Sequence, residues 1–534
     1  RWADTAGDLD KAWVREKIRV TILSRREVTK KTDKLDAVAK DAYTSLEPTD
    51  ILSKYEWLFR DTWVEESYEE IHSDTDYHKR GERITKMREE ALRKITAERG
   101  TAGVLALAEM GKAATQIGSL MVTSILSAND VIPFILTVAR SEAKFDSWTY
   151  KNILRGAFRA IEEEPERAKV LTELREFLSA ESFVKLLEQS LFNTSTWVFV
   201  EEMDDLHQQA YWNSVLPVWE RQNDEELNII VDKLISVNRP RAAFHCVSLD
   251  FEKLRPVVLF KLMEAIAKEG HEQEKHYQLR EYYIEKAFEV LDTSATFSVE
   301  QMASLEFAYL GVLSSYRRKT ANNRGIPNLE KYVDHNPEFF ARAVAWIYKR
   351  KDGGNDPEEL RLTNPTHTQN RAERGYKLLE SLHSIPGRNR RGDIDSNLLL
   401  GWVSTVRKIC AELGRSNVGD LSLGKLLASA PKGTDGVWPC EPVREVLEQI
   451  QSEKISQGIT TGLFNSRGVH RRDEGGNQER SLASMYKSWA TALEFSYPFV
   501  ASTILKYMAD SYERDARHED SEAGIRRRLS NYNY

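Results

Sequence analysis

Between Asp204 and Leu249 the sequence reads DDLHQQAYWNSVLPVWERQNDEELNIIVDKLISVNRPRAAFHCVSL, three helix-sized segments with almost no chain between them. In the middle segment Leu227, Ile230, Val231, Leu234 and Ile235 fall at i, i+3, i+4, i+7 and i+8, which places them on one face of a 3.6-residue helix. Asn223 is positioned to cap that helix, and Glu226 three residues on completes a capping box. The third segment opens at Pro240, whose fixed φ suits a first helical turn, and continues through Ala242, Ala243, Phe244 and Val247. Short amphipathic helices this close together cannot each enclose a core, so each must bury its apolar face on its neighbours. The expected fold is therefore all-α: an irregular α-solenoid or helical-repeat array of short antiparallel helices.

The same pattern runs the length of the chain. Apolar positions at helical spacing recur at Trp13, Ile18, Ile22 and Leu23, at Ile51, Leu52, Tyr55, Leu58 and Phe59, and at Leu482, Met485, Tyr486, Trp489 and Leu493. Residues 78–98 read as a charged helix with a solvated outer face. The stretch GVLALAEMGKAATQIGSLMVTSI, from Gly103, is rich in the small residues that let helix backbones approach closely. Proline marks helix starts at Pro133, Pro165, Pro240, Pro337, Pro442 and Pro498, with no fixed repeat period. Alternating valine-rich runs are nearly absent, which leaves little from which to build a sheet. The longest apolar stretch, Ile117 to Ala139, is interrupted by Asn129, Asp130 and Pro133 and is a poor membrane span.

Three stretches read as loops: a polar one at 351–368, a short basic one at 385–393 and a basic, Gly-rich one at 464–477. The first suggests a division into an N-terminal helical region (1–140), a central array (141–350) and a C-terminal region (369–534) with capping helices, with 351–368 as the boundary. The cysteines, Cys246, Cys410 and Cys440, are odd in number and far apart, as expected in a reducing cytoplasm. The sequence starts at Arg1 inside a charged helical pattern, as a piece of a longer protein would.

Chemical motifs are sparse. Gly111-Lys112 and Gly424-Lys425 lack the upstream glycine and the following Ser/Thr of a phosphate-binding loop. His271 and His276 are five apart, about 140° around a helix, where a zincin needs four. Cys246 and His245 are adjacent and so point apart on a helix. Acidic runs such as Glu162 to Glu164 suit solvated faces or helix N-termini. No cofactor or metal is expected.

Two groups of residues remain as partner-binding candidates. Arg390 and Arg391, with Arg388, and Arg471 and Arg472, with Arg467 and His470, offer positive charge to an anionic or acidic surface. Tyr211, Trp212 and Trp219 are either core residues or the anchors of a binding groove, since aromatic residues and Arg dominate protein interfaces. The net charge of −7 argues against a wholly basic nucleic-acid-binding body.

Three stretches carry a resemblance: Tyr55-Glu56-Trp57-Leu58-Phe59 with the charged helix and GVLALAE behind it, the Asn238-Arg239-Pro240-Arg241-Ala242-Ala243 helix start, and the tail from GGNQERSLASMYKSWATALEFSYPFV to EAGIRRRL. In these the chain resembles the C-terminal helical region of large bacterial STAND-type ATPases of antiphage defence. That resemblance implies an effector and a P-loop ATPase ahead of this region, and helices that bind a viral protein and release the ATPase to oligomerise. The expectation is a non-catalytic, cytoplasmic sensor or scaffold that binds a protein partner and no membrane. The alternatives are a nucleic-acid-binding solenoid that uses the basic loops and an α-helical enzyme with a site assembled from distant residues.

Overall fold

The computed structural model describes residues 2–22, 33–64, 77–141, 147–218, 223–268, 276–314, 324–361, 365–467 and 475–530. Among them the protein is all-helical, with no strand and one isolated antiparallel bridge between Arg388 and Ile394. No helix among the described residues is long and apolar enough to cross a membrane. The chain forms two compact units, Arg1–Leu254 and Arg255–Tyr534.

In the first unit α1 (Asp8–Lys17) leads to a helix whose N-cap Asp50 accepts from Ser53 N at 2.8 Å. The charged segment becomes α2 (Tyr77–Glu109), broken at Gly100, where φ is +62°. Glu90 and Arg93 face solvent as expected, but Arg88, Ala91, Leu92 and Ile95 form a buried inner face. α3 (Ala114–Leu120) crosses α5 (Trp148–Ala160) at reciprocal glycines. A Cβ on Gly118 would lie 1.9 Å from the Ile153 carbonyl oxygen, and one on Gly156 2.0 Å from that of Thr115. Between them α4 (Ala128–Ala139) contains Pro133 in its interior instead of starting there. Ser127 takes the extended N-cap conformation six residues earlier, and the buried Val131, Phe134, Ile135 and Val138 hold the helix through the missing N–H.

The segment read first folds as expected, into α7 (Asp205–Ser214), α8 (Asp224–Ser236) and α9 (Pro240–Val247), preceded by α6 (Thr194–Glu201). Leu227, Ile230, Val231 and Leu234 are buried, and Asn223 and Glu226 form the capping box. α8 ends with Asn238 at φ +59°, Asn238 N bonded to Ile235 O and Arg239 N to Leu234 O, a Schellman turn. The Arg239 guanidinium then donates to the Trp212 and Val215 carbonyls at 2.9 and 2.8 Å, closing the C-terminus of α7.

The second unit repeats these devices. Glu306 in α10 (Val299–Ala308) is fully buried and accepts from Leu329 N at 2.7 Å in the first turn of α11 (Pro327–His335). After α12 (Pro337–Ile347), the chain from Lys351 is tied into the unit: Leu360 is buried, and Asp356 pairs with Arg415 at 2.6 Å. α13 (Ser396–Glu412) ends in a second Schellman turn, with Gly414 at φ +68° and Arg415 N bonded to Cys410 O. α14 (Ser416–Leu427) and α15 (Glu453–Ser466) cross at Gly424 and Gly458, where added Cβ atoms would lie 2.1 and 2.2 Å from facing carbonyl oxygens. The expected C-terminal pair follows, Asn477–Leu493 against the helix from Pro498, with Tyr486 stacked on Tyr512 at 5.7 Å.

Candidate functional site

The residues singled out in the sequence fall at scattered places in the structure. Gly111 and Gly424 are close-packing glycines set against the Phe59 and Ile455 carbonyls. Cys246 is fully buried while its neighbour His245 faces solvent. His271, His470, Trp219, Arg471 and Arg472 lie outside the described residues. Arg467 stacks over the Tyr512 ring at 5.2 Å and approaches Glu479 at 3.7 Å.

Of the two readings left open for Tyr211 and Trp212, the structure shows the core one. They are 0% and 3% exposed and pack edge-to-face at 5.3 Å, with Trp197 5.5 Å from Trp212 and Phe192 5.2 Å from Trp197. Facing helices of this unit converge here, so the largest side chains fill the space between them. Burial pushes the Tyr211 phenol pKa up against the opposing influence of the nearby Trp197 indole, and neither group makes a well-formed hydrogen bond.

A cleft of about 400 Å³ lies elsewhere in the first unit, lined by Glu16, Arg19, Trp57, Arg60, Asp61, Thr62, Trp63 and Val64. One wall is the α1 end of the chain, the other the loop after the Glu56–Leu58 turn. That loop is strapped from behind. The buried Arg88 guanidinium donates to the Leu58, Asp61 and Thr62 carbonyls at 2.8, 3.1 and 3.2 Å. Lys112 N and Ala113 N bond to the Arg60 and Phe59 carbonyls, and burial lowers the Arg88 pKa. On the floor Arg19 forks onto Glu16 at 2.7 and 2.9 Å and lies 4.3 Å above the Trp57 ring. Arg60 pairs with Glu56 and lies 3.8 Å from Glu16; the Glu56 bond raises its pKa. Above this compensated floor Trp63 is 61% exposed.

Arg390 and Arg391 are exposed on the hairpin closed by the Arg388–Ile394 bridge, in the second unit. Sequence reasoning found that loop from its charge. It missed the cleft, because residues near 16–19 and 57–64 meet only through tertiary packing; the one local signal was Trp57 and Trp63 beside Arg60.

No family model matches the chain, and no match was found among curated proteins or solved structures.

Proposed function

We propose that this chain is a non-catalytic scaffold that captures a partner protein, and that the Trp57–Trp63 cleft is a point of contact. The observation that carries this reading is the exposed Trp63 indole on a loop whose backbone is fixed by Arg88. A tryptophan held rigid and open to solvent can bind with little further ordering, and Trp with Arg at a concave surface is the composition of interface hot spots. The resemblance to the helical regions of STAND-type defence ATPases supports the same reading, and in that setting the partner is a viral protein.

The test is a random-peptide display library panned on the full chain. Selected binders should lose about thirtyfold in affinity against Trp63→Ala, the effect of removing one hot-spot contact. Binders indifferent to that substitution, or robust turnover of nucleotide, peptide or nucleic acid by the isolated chain, would overturn the proposal.

A further inference from the structure

The hairpin at 388–394 is built to hold two arginines still. Its foot is anchored at Gly387: the amide donates to Asp334 Oδ1 at 2.6 Å, and φ is +79°. A Cβ there would lie 2.5 Å from the Leu399 amide nitrogen, so the foot sits directly on the start of α13. Asp395 N returns to the Gly387 carbonyl at 2.9 Å, and Asn389 N bonds to Asp393 O at 2.8 Å. Gly392 N bonds to Asn389 O at 2.9 Å, which makes Asn389-Arg390-Arg391-Gly392 a β-turn with Asn first and Gly last. Gly392 has φ +86°, as the residue after a hairpin turn of this length requires. The Asn389 side-chain oxygen adds two more bonds, from Arg391 N at 2.8 Å and Asp393 N at 3.1 Å.

Arg390 and Arg391 therefore occupy the two central positions of a fully bonded turn. Both are exposed, and neither guanidinium makes an ion pair or hydrogen bond among the described residues. Several other arginines of the second unit are already committed to carboxylates. Arg324, Arg407, Arg415, Arg444 and Arg480 are each joined to a carboxylate at 3.2 Å or closer. The third hairpin arginine, Arg388, donates to the Gly392 carbonyl at 2.8 Å and braces the turn.

We infer that this turn is a recognition element for an acidic polypeptide segment, with Arg390 and Arg391 each receiving a carboxylate of the partner. Guanidinium groups match carboxylates as two-toothed forks. A turn already ordered in the free chain leaves only the two side chains to be fixed on binding. The surroundings favour a protein over a nucleic-acid backbone. Asp393 is exposed beside the two arginines, and the chain as a whole carries −7, so a continuous polyanion meets repulsion where a short acidic segment does not. Leu398, half-exposed in the first turn of α13, adds an apolar contact next to the hairpin, a mixture suited to a polypeptide. The hairpin belongs to a different unit from the Trp63 cleft, so loss of either contact leaves the other in place.

Fluorescence anisotropy on the full chain tests it, with a labelled short peptide of alternating Glu and Leu and an oligothymidylate of equal charge as probes. The peptide should bind in preference to the oligonucleotide, with affinity that falls as salt rises. Arg390→Glu with Arg391→Glu should weaken it by about tenfold or more, and Arg390→Gln with Arg391→Gln, which removes charge without reversing it, should weaken it in the same direction. Lys169→Glu with Lys268→Glu changes the net charge equally at two exposed lysines and should leave binding intact, as should Trp63→Ala. Unchanged binding in both arginine variants, equal loss in the lysine variant, preference for the oligonucleotide, or no binding of the peptide each overturns the inference.

Discussion

The Glu226 carboxylate accepts a hydrogen bond from the Thr194 backbone amide at 2.8 Å while its other oxygen accepts from Asn223 N at 3.1 Å. One side chain, 7% exposed, thus serves the first turns of two helices, α6 and α8. A carboxylate there satisfies amides that helix geometry leaves without partners and sits at the positive end of both dipoles.

Glu226→Ala should therefore cost more than a simple cap. Losing Asn223 alone removes one capping contact, about 1 kcal/mol. Losing Glu226 leaves the Thr194 amide and hydroxyl without their acceptor in a part-buried site as well, for a total of about 2–3 kcal/mol. Urea unfolding of the two variants measures the difference. Equal midpoints would show that the bond to Thr194 contributes nothing.

The glycine crossings predict substitutions of opposite sign. Gly156→Ala places a methyl group 2.0 Å from the Thr115 carbonyl, and the two backbones must separate. Overpacking of this kind costs about 1–3 kcal/mol and sometimes more. Gly401, inside α13, has no atom within 4 Å of an added Cβ. Gly401→Ala should stabilise by about 0.5–1 kcal/mol, because alanine loses less conformational freedom in a helix. Chemical denaturation of both variants checks the signs.

These cases mark how far local sequence reaches. The face of α8, its capping box and the Pro240 start of α9 are written in neighbouring residues, and all three are present. The second bond of Glu226 joins positions 32 apart in the chain, and no spacing rule encodes it. Small residues around Gly118 announced a close approach but not that Gly156 was the other side of it. Tyr211 and Trp212 carried a mixed signal, since large aromatic residues suit a core and an interface equally. Pro133 was misplaced because a proline start is the commoner pattern and the Ser127 cap is spelled by a single residue. The cleft had no contiguous signature, as its floor pairs Arg19 with Trp57 across two segments.

Acid should unfold the second unit partly through Asp435. Its carboxylate receives both terminal nitrogens of the buried Arg444, at 2.7 and 2.9 Å, and this bonding lowers its pKa from 3.8 to about 2. A carboxyl more acidic in the folded state stabilises that state above the unfolded pKa, and its contribution disappears as pH falls from about 4 to about 2. The stability gap between the native chain and Asp435→Asn should accordingly be constant near neutrality and shrink across that window. Denaturant titrations at a series of pH values measure it. A gap that persists to the acid end would assign the effect to packing.

The cysteines should be inert in the folded protein. Cys246, Cys410 and Cys440 are all buried. Burial, with the Asp420 charge behind it, pushes the Cys410 thiol up to about 12, and burial also raises Cys440. Thiolate is the reactive species. A disulfide reagent at mildly alkaline pH should therefore label none of the three quickly in native protein and all three after urea unfolding. Fast labelling of any one in the native state would place that thiol within reach of solvent.

Arg415 carries the largest expected single loss. It follows Gly414 as Arg239 follows Asn238, one residue past a left-handed helix end, and in both places the guanidinium turns back to the carbonyls that end an earlier helix. Arg415 is 3% exposed, donates to Tyr348 O at 2.7 Å and forks onto Asp356 at 2.6 and 2.9 Å. Arg415→Ala removes the buried guanidinium that joins Asp356 to the Tyr348 carbonyl and should cost about 3–5 kcal/mol. Arg415→Lys keeps the charge but cannot span carbonyl and carboxylate together, so its loss should be intermediate. Arg239→Ala, which removes the bonds to the Trp212 and Val215 carbonyls, should fall at about 1–3 kcal/mol. Urea unfolding midpoints ordered Arg415→Ala below Arg415→Lys, with Arg239→Ala above Arg415→Ala, would show that the same turn is stabilised to different depths by what the arginine meets. The reverse order would place the stability in the Schellman backbone, which all three variants retain.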